Sequence, residues 1–274
     1  MAEHVTVTPT GIAIAFEDGE PDEGGTSKRR AYLVNGTKLP SVTTVLGILD
    51  KPGLRFAAEK IGVAGAVQLA GEGALPQDPA AAMEALQDRG LTHWQVWAQT
   101  ARRGDLAHTD LVALLTGQEP ADIDQVREED RGFLRGIAEF CADRRPVVVD
   151  SETLVASTEY GFAGRYDLCC ALGSDLVRLD LKTTGELPRY KDGQVKPPYD
   201  ENVLQLAAYE LAARESGFAS SDWQGVLRVD ASGAWDLTRS WLPTADVFLA
   251  VLAAHRALKA AAKARPKWRK LVAA

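Results

Sequence analysis

Gly161-Phe-Ala-Gly-Arg-Tyr-Asp-Leu-Cys-Cys-Ala-Leu-Gly-Ser-Asp-Leu-Val-Arg-Leu-Asp-Leu-Lys-Thr-Thr184 reads as the two strands of a β-hairpin turning at Gly173-Ser174. Glycine in the first of two turn positions is what a type II′ turn requires, and that turn fixes the register. Asp167 then stands opposite Asp180, Leu168 opposite Leu179 and Cys170 opposite Val177. Because side chains alternate along a strand, one face is apolar and the other carries both acids with Lys182 and Arg165. Like charges opposed on a sheet destabilise it, and a divalent cation between them is the natural compensation.

Such a hairpin suits phosphodiester hydrolysis. Two carboxylates are hard oxygen ligands for Mg²⁺ or Mn²⁺, the cation activates a water, and a neighbouring lysine orients that water or offsets developing charge. Spacing alone leaves a second reading open: acids and lysines alternate on solvated strand faces, and Lys182 with Arg165 can neutralise the two acids without an ion.

Other segments bear on the choice. Gly164-Arg-Tyr-Asp167, then Asp180-Leu-Lys182-Thr-Thr, then Gln205-Leu-Ala-Ala-Tyr209 follow in order, preceded by Gly104-Asp-Leu-Ala-His108 and by Glu152 in Val147-Val-Val-Asp-Ser-Glu152. This series resembles the RecB-like branch of the PD-(D/E)XK nuclease superfamily, which includes lambda exonuclease and the CRISPR-associated RecB-like nucleases. Tyr32-Leu-Val-Asn-Gly36, Leu39-Pro-Ser-Val-Thr-Thr44 and Asp50-Lys-Pro52 look like phage and prophage members of the branch. As ordered motifs, the resemblance spans about residues 30 to 215.

The resemblance implies that His108, Asp167, Asp180 and the backbone carbonyl of Leu181 ligate Mg²⁺ or Mn²⁺. It implies that Lys182 assists the attacking water and that Glu152 helps through a water or a second cation. Gln205 and Tyr209, four apart and on one face of a helix, are expected beside the metal, touching nucleic-acid backbone or bracing the lysine. Arg165, Thr183 and Arg103 are the further substrate-binding candidates. On spacing alone, His108 reads equally as a core or surface histidine, and Tyr209 as a buried tyrosine with its hydroxyl satisfied.

At 274 residues and 46% hydrophobic, the chain can bury a substantial core and is neither a disordered nor a membrane protein. No apolar run approaches the ~20 residues that span a bilayer. The N-terminus lacks a basic region followed by an apolar stretch, so a cytoplasmic protein is expected. Cys141, Cys169 and Cys170 form no CxxC pair and fall short of the four cysteines that an iron–sulfur cluster in some relatives needs, so no cluster is expected. A net charge of −7 argues against binding nucleic acid by bulk electrostatics. A local basic groove is still effective, because screening confines charge effects to about 8 Å. Candidates are Lys28-Arg-Arg30, Arg102-Arg103, the loop with Arg189, Lys191 and Lys196, and the segment Arg256, Lys259, Lys263, Arg265, Lys267, Arg269 and Lys270 with Trp268.

The remaining pattern predicts short strands over residues 5 to 16 and a helix from Val42 to Leu49 capped by Ser41. Helices follow over Leu54–Leu69, Ala80–Arg89, Thr92–Thr116 and Asp122–Arg144. Strands begin at Pro146, a helix carries Gln205 and Tyr209 from about Asp200 to Gly217, strands cover Trp223–Val229 and Ala234–Ser240, and an Ala-rich helix spans Thr244–Ala264. The expected fold is α/β: a PD-(D/E)XK core with a mixed central sheet over residues 91–274, and an N-terminal elaboration of strands and helices, residues 1–90, packed on it. The function expected from the resemblance is a metal-dependent DNA exonuclease. A structure-specific endonuclease, a non-catalytic DNA-binding relative and a metal enzyme acting on a small substrate are the alternatives. DNA is the expected partner. No Gly-x-x-x-x-Gly-Lys-Ser/Thr element occurs, so ATP-driven unwinding requires a separate helicase or recombination protein, and channel closure is a reason for homo-oligomers.

Overall fold

The structure, a computed structural model, describes residues 5–17, 31–50, 52–242 and 244–264. Lys28-Arg-Arg30 and the basic residues from Arg265 to Lys270, with Trp268, lie outside them. Four short strands, β1 (Val5–Val7), β2 (Ala13–Glu17), β3 (Ala31–Val34) and β4 (Thr37–Leu39), form an antiparallel meander. The turn between β3 and β4 is Asn35-Gly36, with φ of 48° and 77°. Two positive φ values define a type I′ hairpin, whose twist matches that of the strands.

Next come α1 (Val42–Leu46), α2 (Pro52–Gly71), α3 (Pro79–Asp88) and α4 (His93–Thr116). Ser41 caps α1 by accepting the Thr44 amide at 3.0 Å. The predicted helix from Asp122 begins only at Arg131, as α5 (Arg131–Arg144), behind a short 3₁₀ turn. Its first residues are drawn off by side chains: Asp110 accepts the Ala121 amide at 2.9 Å, and Asp122 accepts that of Asp124 at 3.0 Å.

A five-stranded sheet follows: β5 (Val147–Ser157), β6 (Phe162–Leu172), β7 (Asp175–Thr184), β8 (Trp223–Asp230) and β9 (Trp235–Arg239), in that spatial order. Only β7 and β8 run parallel, with α6 (Asp200–Glu215) as the crossover between them. The chain then turns into α7 (Asp246–Ala264).

Helices cover both faces of this sheet, which makes the fold mixed α/β. On one face, Ala107 and Leu111 of α4 and Phe133, Ile137 and Phe140 of α5 pack on Leu168, Val177, Leu179, Leu181 and Leu227. The approach of α5 is set by glycine: a Cβ on Gly136 would lie 2.4 Å from Val229 Cγ1, and one on Gly132 1.7 Å from the Ala231 carbonyl. On the other face, α6 packs with Val42, Val45 and Leu46 of α1 and Phe248 and Leu252 of α7 against Val155, Phe162, Tyr166 and Cys169. Cys169 and Cys170 therefore point to opposite faces.

The meander is joined to the sheet through Ile12, Ile14, Tyr32 and Val34, which pack on Ala156 and Ala163. Among the described residues, no helix is long and apolar enough to cross a membrane.

Candidate functional site

The β6–β7 hairpin keeps the predicted register, Leu168 with Leu179 and Cys170 with Val177, and Gly173 takes a φ of 64°. Ser174 has no positive φ, so the turn is type II′. The ladder stops one pair short of the two acids. Continued, it would give the Leu181 amide the carbonyl of Tyr166; instead the Asp167 carboxylate accepts that amide at 2.7 Å. Asp167 and Asp180 are therefore not a facing ladder pair. The Leu181 carbonyl lies on the same strand edge as its amide, beyond the last ladder pair.

The regular alternation of faces breaks at the same place. Tyr166 and Cys169, three apart, both face α6, while Leu168 and Cys170 face α5. Opposite, β5 carries a register shift between Val148 and Asp150, and Glu152 has a φ of 49°. A β-bulge re-aims side chains, and a left-handed non-glycine residue in a strand stores strain of order 1–3 kcal/mol. Here both act on one result: Glu152 and Asp167 are turned toward α4, where His108 sits.

His108, Glu152 and Asp167 offer ligand atoms that all lie within 4.8 Å of one another. His108 Nδ1 is 3.3 Å from Glu152 and 3.7 Å from Asp167. The second Glu152 oxygen receives Arg165 Nε at 2.9 Å. Asp180, 1% exposed, stands behind this cluster. It forms an ion pair with Lys182 at 2.7 Å and accepts from Gln205 Nε2 at 3.1 Å. Gln205 also donates to the Tyr209 hydroxyl at 3.0 Å, which leaves the phenol proton free to be donated in turn.

Burial raises the Asp167 carboxyl to about 7, helped by the charge of Asp180 and opposed by His108, Lys182 and the Leu181 amide. For His108, burial disfavours the charged ring, but the hydrogen bond to Glu152 and the charges of Asp167 and Glu152 outweigh it and raise its pKa. Glu152 is held below the usual carboxylate range: burial opposes this, and the His108 hydrogen bond and Arg165 overcome it. Lys182 likewise rises against burial, through Asp180 and Asp167. Tyr209 is pushed well above its ordinary value by burial and the two aspartates.

These residues line or adjoin a cleft of about 980 Å³. It is also lined by Lys38, Ser41, Thr43 and Thr44, none of which was expected at the site from sequence. Ser41 was legible as a helix cap and, with Thr43 and Thr44, as part of the motif Leu39-Pro-Ser-Val-Thr-Thr44. Arg103 is placed elsewhere, its guanidinium tied to Asp130 at 2.9 Å and Glu129 at 3.2 Å. Thr183 adjoins α4: a Cβ on Gly104 would lie 3.8 Å from its hydroxyl.

Gly164 has a steric reason to be glycine. A Cβ there would lie 2.4 Å from Tyr209 Cε1 and 3.3 Å from a Val42 methyl. Gly164→Ala is expected to lower stability by about 1–3 kcal/mol in urea titration and to displace the tyrosine. In a Tyr209→Leu background, the same change should cost clearly less.

One nitrogen and two carboxylates fit a divalent cation that accepts mixed N/O ligation, such as Mn²⁺, or Mg²⁺ with waters completing its shell. No family model matches the chain, and no curated protein matches it. Among solved structures, one described as the crystal structure of SSO0001 is 12% identical, with 58% of this chain and 87% of that chain covered and a TM-score of 0.29. A likeness that loose carries no argument.

Proposed function

We propose that the protein is a divalent-cation-dependent deoxyribonuclease, an exonuclease of the RecB-like branch of the PD-(D/E)XK fold. The observation that carries the reading is the joining of His108, Glu152 and Asp167 in one ligand cluster directly beside the Asp180–Lys182 pair. His108, Glu152 and Asp167, as many as 59 positions apart in sequence and from three different elements, line one cleft. A solvated face with alternating charges has no need of a bulge and a strained backbone to bring them together.

In this reading His108, Glu152 and Asp167 hold the cation, with the Leu181 carbonyl on the adjoining strand edge. A cation bound there supplies Lewis-acid polarisation of the phosphate and a water of lowered pKa. Lys182 stays an ammonium, because Asp180 and Asp167 favour its charge, and it orients the attacking water and offsets charge building on the phosphate. Gln205 fixes the Asp180 carboxylate from the other side and so fixes the lysine. Arg165 uses one N–H on Glu152 and retains others for a phosphate oxygen. Tyr209 remains protonated and can donate to the same group.

The test is incubation of linear and covalently closed circular DNA with Mg²⁺ or Mn²⁺ against an EDTA control. Loss of linear DNA alone, stopped by EDTA, is the expected result. Nicking of the circle would move the assignment to an endonuclease. Intact DNA in every arm with binding retained would replace the enzyme by a non-catalytic DNA-binding protein.

A further inference from the structure

Among the described residues, Arg178 of β7 is the largest fully buried side chain, 0% exposed. Its guanidinium lies over the Tyr166 ring, 4.7 Å from the centroid, donates to the Ala219 carbonyl at 3.2 Å and forms an ion pair with Glu210 of α6. Glu210 is itself buried and well supplied with donors. Ser221 donates to it through its hydroxyl at 2.7 Å and its amide at 3.2 Å, and Arg214 Nε adds a bond at 2.8 Å. Buried ion pairs contribute little to stability, because desolvating both charges offsets their attraction. Packing alone does not account for this one.

Its place along the strand gives the pair a use. Two residues beyond Arg178, on the same face of β7, is Asp180, which accepts from Gln205 of α6 at 3.1 Å and pairs with Lys182. Helix and strand therefore meet in opposite order, Arg178 with Glu210 and Asp180 with Gln205. The spacings match: two strand residues cover about 6.6 Å and five helix residues about 7.5 Å. Glu210 and Gln205 also lie roughly 140° apart around the helix axis, so the two contacts fix rotation as well as height. A slide of one turn, about four residues, leaves no acceptable pairing. In one direction it sets Leu206 against Arg178 and Glu201 against Asp180, and in the other it sets Arg214 against Arg178. Each leaves a buried charge unpaired or facing its like, which is strongly destabilising.

We propose that Arg178 and Glu210 are positioning residues, whose ion pair sets the register of α6 on β7 and thereby delivers Gln205 to Asp180 and Tyr209 to the cleft. Asp180 holds Lys182, so the placement passes through one side-chain amide to the ammonium. Neither Arg178 nor Glu210 lines the cleft. The inference rests on the nuclease reading for its kinetic readout, while the Gln205–Asp180 contact tests it without cleavage.

Arg178→Met combined with Glu210→Gln removes both charges, leaves an unbranched apolar stem on β7 and keeps an amide oxygen for Ser221. A neutral replacement of a buried pair is expected to melt at or above the wild-type temperature. Assayed with Mn²⁺ well below that temperature, kcat for linear DNA should fall about a hundredfold, with KM for DNA within about threefold of wild type. The Gln205 side-chain NH₂ signals, read by NMR in metal-free protein and assigned through Gln205→Glu, should lose their protection from solvent exchange. A Gln205 amide that stays protected would overturn the proposal, whatever the kinetics, and leave the ion pair a packing element. Should the doubly substituted chain not fold, Glu210→Asp retains both charges on a shorter stem, and the same loss of amide protection is expected of it. Wild-type protection there would equally overturn the proposal. A wild-type protein that cleaves no DNA would remove the nuclease reading and leave the NMR result to decide the register alone.

Discussion

Lys182→Met will lower kcat for DNA cleavage about a thousandfold while KM for DNA changes by less than threefold. The ammonium lies 2.7 Å from Asp180 and beside the ligand cluster, where the attacking water and the phosphate charge meet in the proposed reaction. Methionine keeps the length and apolar stem of the side chain and removes only the charge, so packing is conserved. The variant has a second signature. Asp180 is 1% exposed, and taking away its cation leaves a buried carboxylate within reach of the Asp167 charge, which is strongly destabilising. The melting temperature should therefore fall at alkaline pH and recover as the pH is lowered and Asp167 takes up its proton. Pairing Lys182→Met with Asp180→Asn should restore stability without restoring cleavage. Wild-type turnover in Lys182→Met would remove this lysine from the mechanism and leave it a neutralising partner of two acids.

The hairpin was legible because a single glycine dictates its turn, and a two-residue turn dictates every pairing from Leu172–Asp175 back to Leu168–Leu179. What sequence did not show is where the ladder gives way. Asp167 leaves the register by bonding the Leu181 amide with its side chain, and no periodicity encodes that exchange. The consequence reaches Glu152, expected to act at a distance through a water or a second cation but placed in the same cluster as His108. Its position depends on the bulge in β5 and on a left-handed backbone that a glutamate does not advertise. Arg103 was chosen for nearness in sequence to His108, yet residues five apart on a helix point in different directions, and two acids hold it. The hairpin at Asn35-Gly36 did carry a signal, since Asn-Gly between apolar residues is a strong mark of a type I′ turn. Reading it would have placed Lys38 on a strand leading to the cleft wall.

Asp167→Asn will make the metal-free protein more stable at pH 8, with a gain that shrinks as the pH falls and vanishes below about pH 4. The folded-state carboxyl of Asp167 is raised from 3.8 to about 7, chiefly by burial and by Asp180. The folded chain thus keeps a proton there that the unfolded chain releases near pH 4, so stability falls as the pH rises from about 4 through 7. Above that range the full cost of a buried charge is present, at most about 4 kcal/mol at 1.36 kcal/mol per pH unit. Asparagine retains an oxygen for the Leu181 amide and carries no charge, so it removes the cost without losing the hydrogen bond. A cation reverses the ranking: saturating Mn²⁺ should raise the melting temperature of the wild type at pH 8 and leave that of Asp167→Asn unmoved. Because the ion must displace the Asp167 proton, its affinity for the wild type should weaken about tenfold for each pH unit below 7, or more steeply where His108 also loses a proton on binding. Calorimetric melting in EDTA and in Mn²⁺ across this pH range measures all of these quantities on one protein. Equal Mn²⁺ stabilisation of both chains would show that Asp167 is not a ligand, and the cluster would then have to be read as a network of ion pairs holding β5, β6 and α4 together.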